Sequence, residues 1–128
     1  MVTVWVNGCF DVLHRGHIEL LSYAKSQGDK LIVGIDTDER VRSSKGPSRP
    51  HNNLLDRKYF LESIRSVDKV VAYDTDEELE NHLIENHVDV MIIGSDWKGK
   101  RVVGQELCEK LVFFDRIGSY STTKILEG

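Results

Sequence analysis

Val4-Trp5-Val6-Asn7-Gly8-Cys9-Phe10-Asp11-Val12-Leu13-His14-Arg15-Gly16-His17 is the stretch from which the rest of the chain can be read. It opens on a short apolar strand, Val2 to Val6. It runs into an amphipathic helix, His17 to Ser26, whose apolar face is Ile18, Leu20, Leu21 and Ala24. A strand that delivers directly into a helix is where an open α/β sheet binds phosphate. The first N–H groups of such a helix have no intrahelical partner, and its dipole favours an anion. His14 and His17 sit at that point and add donors on short side chains. Gly16 permits a close backbone approach.

Outward from this stretch, strands and helices alternate. Gly28 stops the first helix. Lys30 to Ile35 is nearly continuous in apolar character, as a strand buried on both faces of a parallel sheet is. Thr37 to Asn53 is polar and reads as a functional loop, with a short helical turn around Asp38 to Arg42. Leu54 to Ser66 is a predicted helix capped by Asn53, and Lys69 to Tyr73 a third strand. Asp76 to Asn86 is an acidic amphipathic helix capped by Thr75. Asp89 to Gly94 and Leu111 to Phe114 complete five strands, and Ser121 caps a last short helix over Thr122 to Leu126. The pattern predicts a Rossmann-like α/β fold: an open, five-stranded, mainly parallel sheet with helices on both faces. Its ligand crevice then lies beyond the carboxyl ends of the strands. Gly8 to His17, Asp36 to Lys45, Gly94 to Lys100 and Arg116 to Thr123 all fall there.

Composition bounds the function. The 128 residues suit one domain, residues 1–128, with 40% hydrophobic and 30% charged residues. A net charge of −4 argues against a nucleic-acid partner. No apolar run reaches the ~18 residues of a membrane span. Met1 leads straight into the first strand, which leaves no room for a signal peptide before it. Cys9 and Cys108 form no zinc spacing and fit a reduced, cytoplasmic setting, with Cys9 a small strand-end residue rather than a nucleophile. His51, His82 and His87 read as surface residues.

The run from Gly8 to His17 resembles the cytidylyltransferase-like nucleotidyltransferases, which share an H-x-G-H motif with class I aminoacyl-tRNA synthetases. The resemblance recurs along nearly the whole chain. Gly94-Ser95-Asp96-Trp97-Lys98-Gly99-Lys100 is similar to the G-D-D-W-x-G-K stretch of glycerol-3-phosphate cytidylyltransferases, with Ser95 departing from the usual Asp. Arg116 and Ser121-Thr122-Thr123-Lys124-Ile125 resemble that family's R-x-x-G-I-S-T-T-x-I ending, from which Gly118-Ser119-Tyr120 departs. By contrast, Val6 to Asp11, Lys45-Gly46-Pro47-Ser48-Arg49-Pro50 and Val103-Gly104-Gln105-Glu106 look more like the nucleotidyltransferase half of heptose-phosphate enzymes, which use ATP.

The resemblance implies transfer of a nucleotidyl group from a nucleoside triphosphate to a phosphate oxygen, with release of pyrophosphate. The nucleophile is already an anion, so positioning and electrostatics supply most of the catalysis. By resemblance, His14, His17, Lys45 and Arg116 carry the reaction. Gly8, Cys9, Phe10, Asp11, Gly16, Gly94, Asp96, Arg116, Ser121, Thr122 and Thr123 hold the nucleotide. Asp38, Lys45, Arg57, Arg65 and Trp97 face the acceptor, with the fold's supporting network the other role the resemblance implies for Arg57 and Arg65. Read without the family, Lys45 is a solvated loop lysine, Trp97 a loop anchor, and Arg57 and Arg65 lie near one helical face where Asp56 and Glu62 can pair with them. Asp11 either orients a phosphate-binding partner or helps hold Mg²⁺ indirectly. Mg²⁺ is expected to arrive with the triphosphate, without a direct protein ligand. CTP with a small phosphorylated polyol such as glycerol 3-phosphate is the first reading, and ATP or GTP with a heptose 1-phosphate the second. A catalytically silent nucleotide-binding module and an RNA-linked adenylating protein are readings of other classes. The resemblance also implies a homodimer.

Overall fold

A computed structural model describes residues 1–115. The elements are β1 (Thr3–Gly8), α1 (Arg15–Ser26), β2 (Lys30–Asp36), α2 (Asp38–Lys45), α3 (Leu54–Glu62), β3 (Lys69–Tyr73), α4 (Asp76–Glu85), β4 (Val90–Gly94) and β5 (Lys110–Phe114). The five strands form one sheet in the order β3-β2-β1-β4-β5. Every pairing is parallel, so the expected sheet is parallel throughout rather than mainly so. The chain reverses its direction of travel across the sheet between β1 and β4, and this creates a crevice at their carboxyl ends.

Alternation along β1 divides the core. Val4 and Val6 point to one face, with Leu21 and Ala24 of α1 and Leu61 of α3. Trp5 points to the other, with Leu79 and Leu83 of α4. Gly34 of β2 leaves room for the Trp5 indole, which an added Cβ would strike. The helices therefore lie on both faces, as the strand–helix alternation predicts.

Three helices depart most from the expected bounds. Helix α1 begins at Arg15, with His14 as its N-cap, rather than at His17. Helix α3 stops at Glu62 rather than Ser66, although Ile64 and Val67 still pack on the core from the turns that follow. Asp68 ends that passage by accepting from Leu31 N (2.8 Å) and Lys25 Nζ (2.5 Å). The largest change is α2. Thr37 caps an eight-residue helix, so the polar loop shrinks to residues 46–53. Val41 is the one buried residue of α2, and a helix with so little apolar face leaves no periodic signal.

Candidate active site

The two histidines open α1 by capping it with each other. His14 Nδ1 accepts from Gly16 N at 3.0 Å, and His17 Nδ1 accepts from the His14 N–H at 3.1 Å. The rings stack with centroids 3.9 Å apart. Because Nδ1 accepts in both, each neutral ring carries its proton on Nε2. Capping and phosphate binding thus use different nitrogens of the same rings. Phe10 holds the pair from below: it is buried, has a φ of 50° and packs at 5.3 Å from the His17 ring.

Asp11 organises the loop opposite. Its carboxylate is buried and accepts from Arg49 Nε (2.8 Å), His51 N (2.7 Å) and Asn52 N (2.7 Å). Burial alone pushes this carboxyl up. The N–H donors of Asn52 and His51, with the Arg49 guanidinium, outweigh burial and hold it below the usual carboxylate range. Asp11 is therefore spent on the loop, and through it on the orientation of Arg49.

Arg57 braces the floor. Its guanidinium is fully buried and donates to Cys9 O (2.9 Å), Asp36 O (2.7 Å), Asn52 O (3.0 Å) and Asp38 Oδ1 (2.7 Å). One side chain thereby joins the ends of β1 and β2, the loop and α2. Among the described residues, no buried side-chain nitrogen or oxygen lacks a partner.

These elements enclose a crevice of about 760 Å³. His14, His17, Lys45, Gly8, Cys9, Phe10, Asp11, Gly16, Gly94, Asp96 and Trp97 line it, as expected from the sequence. Asp96 lies back over Gly94, where an added Cβ would meet its Oδ1 at 2.6 Å. Arg57 and Asp38, expected to face the acceptor, do not line the crevice: they are paired with each other beneath it. Arg65 is exposed in the turn before β3, at the amino ends of the strands and away from the crevice. Arg116, Ser121, Thr122 and Thr123 lie outside the described residues. Burial pushes the Cys9 thiol up, Arg57 opposes this, and Asp11 and Asp36 add to it, so Cys9 stays a neutral thiol near pH 7.

Lining residues not singled out from the sequence include Asn7, Asp36, Arg40, Arg49 and Tyr73. Arg49 had a visible signal, a second cation in the same Gly/Pro loop as Lys45. Arg40 lies in the Asp36 to Lys45 stretch expected at the crevice, but nothing singled it out, since its place depends on α2.

Residues 5–127 match the family described as Cytidylyltransferase-like. The chain belongs to that family. It is 43% identical over 124 residues to the bifunctional protein HldE of a Nitratiruptor species, covering 97% of this chain and 27% of that protein. It is 44% identical over 125 residues to the bifunctional protein HldE of Sulfurimonas denitrificans, covering 97% and 26%. The chain thus spans about a quarter of the length of these relatives. A solved structure, the lipopolysaccharide core biosynthesis protein from Thermoplasma volcanium, superposes with a TM-score of 0.72 at 27% identity, covering 94% of this chain and 99% of that one. The nucleotidyltransferase fold and family are those the strand-one motif points to. Among the described residues, no helix is long and apolar enough to cross a membrane.

Proposed function

We propose that this nucleotidyltransferase transfers the nucleotidyl group of ATP or GTP to a heptose 1-phosphate, releasing pyrophosphate. The observation that carries the reading is the loop over residues 45–50. Its sequence resembles that of heptose-phosphate enzymes, and relatives over 40% identical across nearly the whole chain are HldE proteins. The Asp96-Trp97 stretch, which favoured CTP and glycerol 3-phosphate, is outweighed: similarity to HldE extends over 97% of the chain.

The crevice supplies the parts for direct in-line displacement. The acceptor phosphate is bound beside Lys45 and Arg49, whose charges lower the repulsion between two anions. Its oxygen attacks the α-phosphorus while the bond to pyrophosphate breaks. The Nε2–H groups of His14 and His17, with the N–H groups opening α1, stabilise charge on the transferred group and the leaving oxygen. Asp96 and Gly94 lie on the nucleoside side, across β1 from the loop. Arg116 and Ser121 to Thr123 are assigned the β- and γ-phosphates on resemblance alone. Mg²⁺ enters with the triphosphate. Phosphate oxygens and water are the ligands this reading gives it, since Mg²⁺ keeps several waters when it arrives with a triphosphate.

The test is kcat/KM for ATP, GTP and CTP, each with heptose 1-phosphate and with glycerol 3-phosphate. Efficient transfer from a purine triphosphate to the heptose supports the reading. Turnover confined to CTP and glycerol 3-phosphate overturns it, leaving nucleotidyl transfer intact.

A further inference from the structure

On the β2–β3 side of the crevice stands a polar wall that the chemistry above does not use. The Trp5 indole N–H donates to Asn7 Oδ1 at 2.9 Å. That fixes the Asn7 amide, whose Nδ2 donates to the Tyr73 hydroxyl at 3.3 Å. Burial pushes the Tyr73 hydroxyl's pKa up and the neighbouring Asp36 carboxylate adds to this, so the hydroxyl stays a protonated donor beside that carboxylate. An indole can only donate and a carboxylate can only accept, so this chain of bonds has one direction. Arg40 closes it. Its guanidinium lies 3.3 Å from Asp36 and 2.7 Å from Asp76, and 5.1 Å from the centroid of the Tyr73 ring. Asn7, Asp36, Arg40 and Tyr73 all line the crevice.

We propose that this wall is the subsite that reads the hydroxyl groups of the sugar-phosphate acceptor, with Asp36 and Arg40 setting acceptor specificity. The inference rests on the sugar-phosphate reading above. Charge decides what the wall takes. Within the crevice the Asp36 carboxylate balances Arg40, whose guanidinium is also held by Asp76 outside the lining, so the wall offers phosphate no net positive charge. Next to it, Lys45 and Arg49 are cationic. A ligand with an anionic end and a neutral hydroxylated end fits that gradient, whereas a triphosphate does not. Capacity agrees with charge. An ionised carboxylate offers about four acceptor positions and an amide two donors. The internal bonds leave part of that capacity facing the crevice. The partners are held before any ligand arrives, so little ordering is needed on binding. A site built this way discriminates strongly against an analogue lacking the hydroxyls, because its polar groups are then left unpaired.

The experiment is a two-substrate initial-rate study of the full chain with a purine triphosphate and heptose 1-phosphate, comparing the native protein with Asp36→Asn and Arg40→Ala. Arg40 is partly solvent-exposed on a short helix, so its alanine variant retains the fold. We expect the acceptor KM to rise about 10- to 100-fold in each variant, the scale of one hydrogen bond to a charged group. The triphosphate KM and kcat should stay within about threefold, since the lost contact is equal in ground and transition states. Use of glycerol 3-phosphate, which lacks the ring hydroxyls, should not fall, so the preference for the heptose collapses. Unchanged acceptor KM in both variants overturns the inference while the proposed function stands. A rise confined to the triphosphate KM overturns it too, by placing the nucleoside at the wall. A native protein that does not turn over heptose 1-phosphate overturns the function reading itself.

Discussion

Asp11→Asn probes the account where it departs most from a reading of the motif alone. The wild-type carboxylate serves three donors: Arg49 and His51 at Oδ2, and Asn52 at Oδ1. Asparagine keeps the shape but offers one oxygen, and its NH₂ must then face an N–H donor. One charge-assisted hydrogen bond is lost, at about 1.5–3 kcal/mol, and the others weaken as the charge disappears. A total of about 3 kcal/mol corresponds to a fall in Tm of about 12 °C for a domain of this size. The pH dependence has a definite sign. The folded carboxyl is held below its ordinary value of 3.8. Its contribution is therefore fully present above pH ~4 and is lost as pH falls through the folded value. The wild type should thus lose its advantage in acid, and the two melting curves should converge. Thermal melts followed by circular dichroism at pH 7 and at steps below pH 4 measure both effects. A variant melting within about 3 °C of wild type at pH 7, or a gap that persists in acid, would refute the assignment of Asp11 to the loop.

Four further outcomes follow from the geometry. His14→Ala and His17→Ala should each lower turnover about 10²- to 10³-fold with a much smaller change in triphosphate affinity; near-normal turnover in either removes that histidine from the mechanism. Arg57→Ala should cost about 3–5 kcal/mol by orphaning Asp38 and three backbone carbonyls, so urea unfolding with a nearly unchanged midpoint would contradict its bracing role. Lys45→Ala should damage turnover, and proteolysis within residues 46–53 should slow when nucleotide and acceptor are both present; equal cleavage rates in free and bound protein would count against closure. Light scattering should give about twice the single-chain 14.6 kDa if the dimer expected from the family forms, and the single-chain mass excludes it.

The sheet was legible because its strands carry their burial in their composition. Leu31 to Ile35 is apolar without interruption, and every one of those side chains, Gly34 aside, is buried. The crevice followed from strand order, since motifs placed after strands one, two and four converge wherever the sheet is parallel. Helix α2 was only partly legible, because a polar helix with Val41 alone in the core has no period to detect. The stretch Asp36 to Lys45 was placed at the crevice as a whole, but without the full helix nothing singled out Arg40 for the polar wall. For Arg57 the resemblance left two roles open, the acceptor phosphate or the fold's supporting network, and only the fold shows three backbone carbonyls already occupying its guanidinium. The histidine pair was visible as residues, but the division of labour between Nδ1 and Nε2 appears only in the geometry.

The central claim is tested most directly by watching the new bond form. The protein is incubated with Mg²⁺, heptose 1-phosphate and ATP or GTP, and the mixture is followed by ³¹P nuclear magnetic resonance. The account predicts that the sugar phosphate resonance is replaced by a coupled pair from a nucleoside diphosphate sugar, with pyrophosphate appearing in equal amount. An unchanged sugar phosphate, while CTP and glycerol 3-phosphate under the same conditions give the corresponding diphosphate diester, would contradict it.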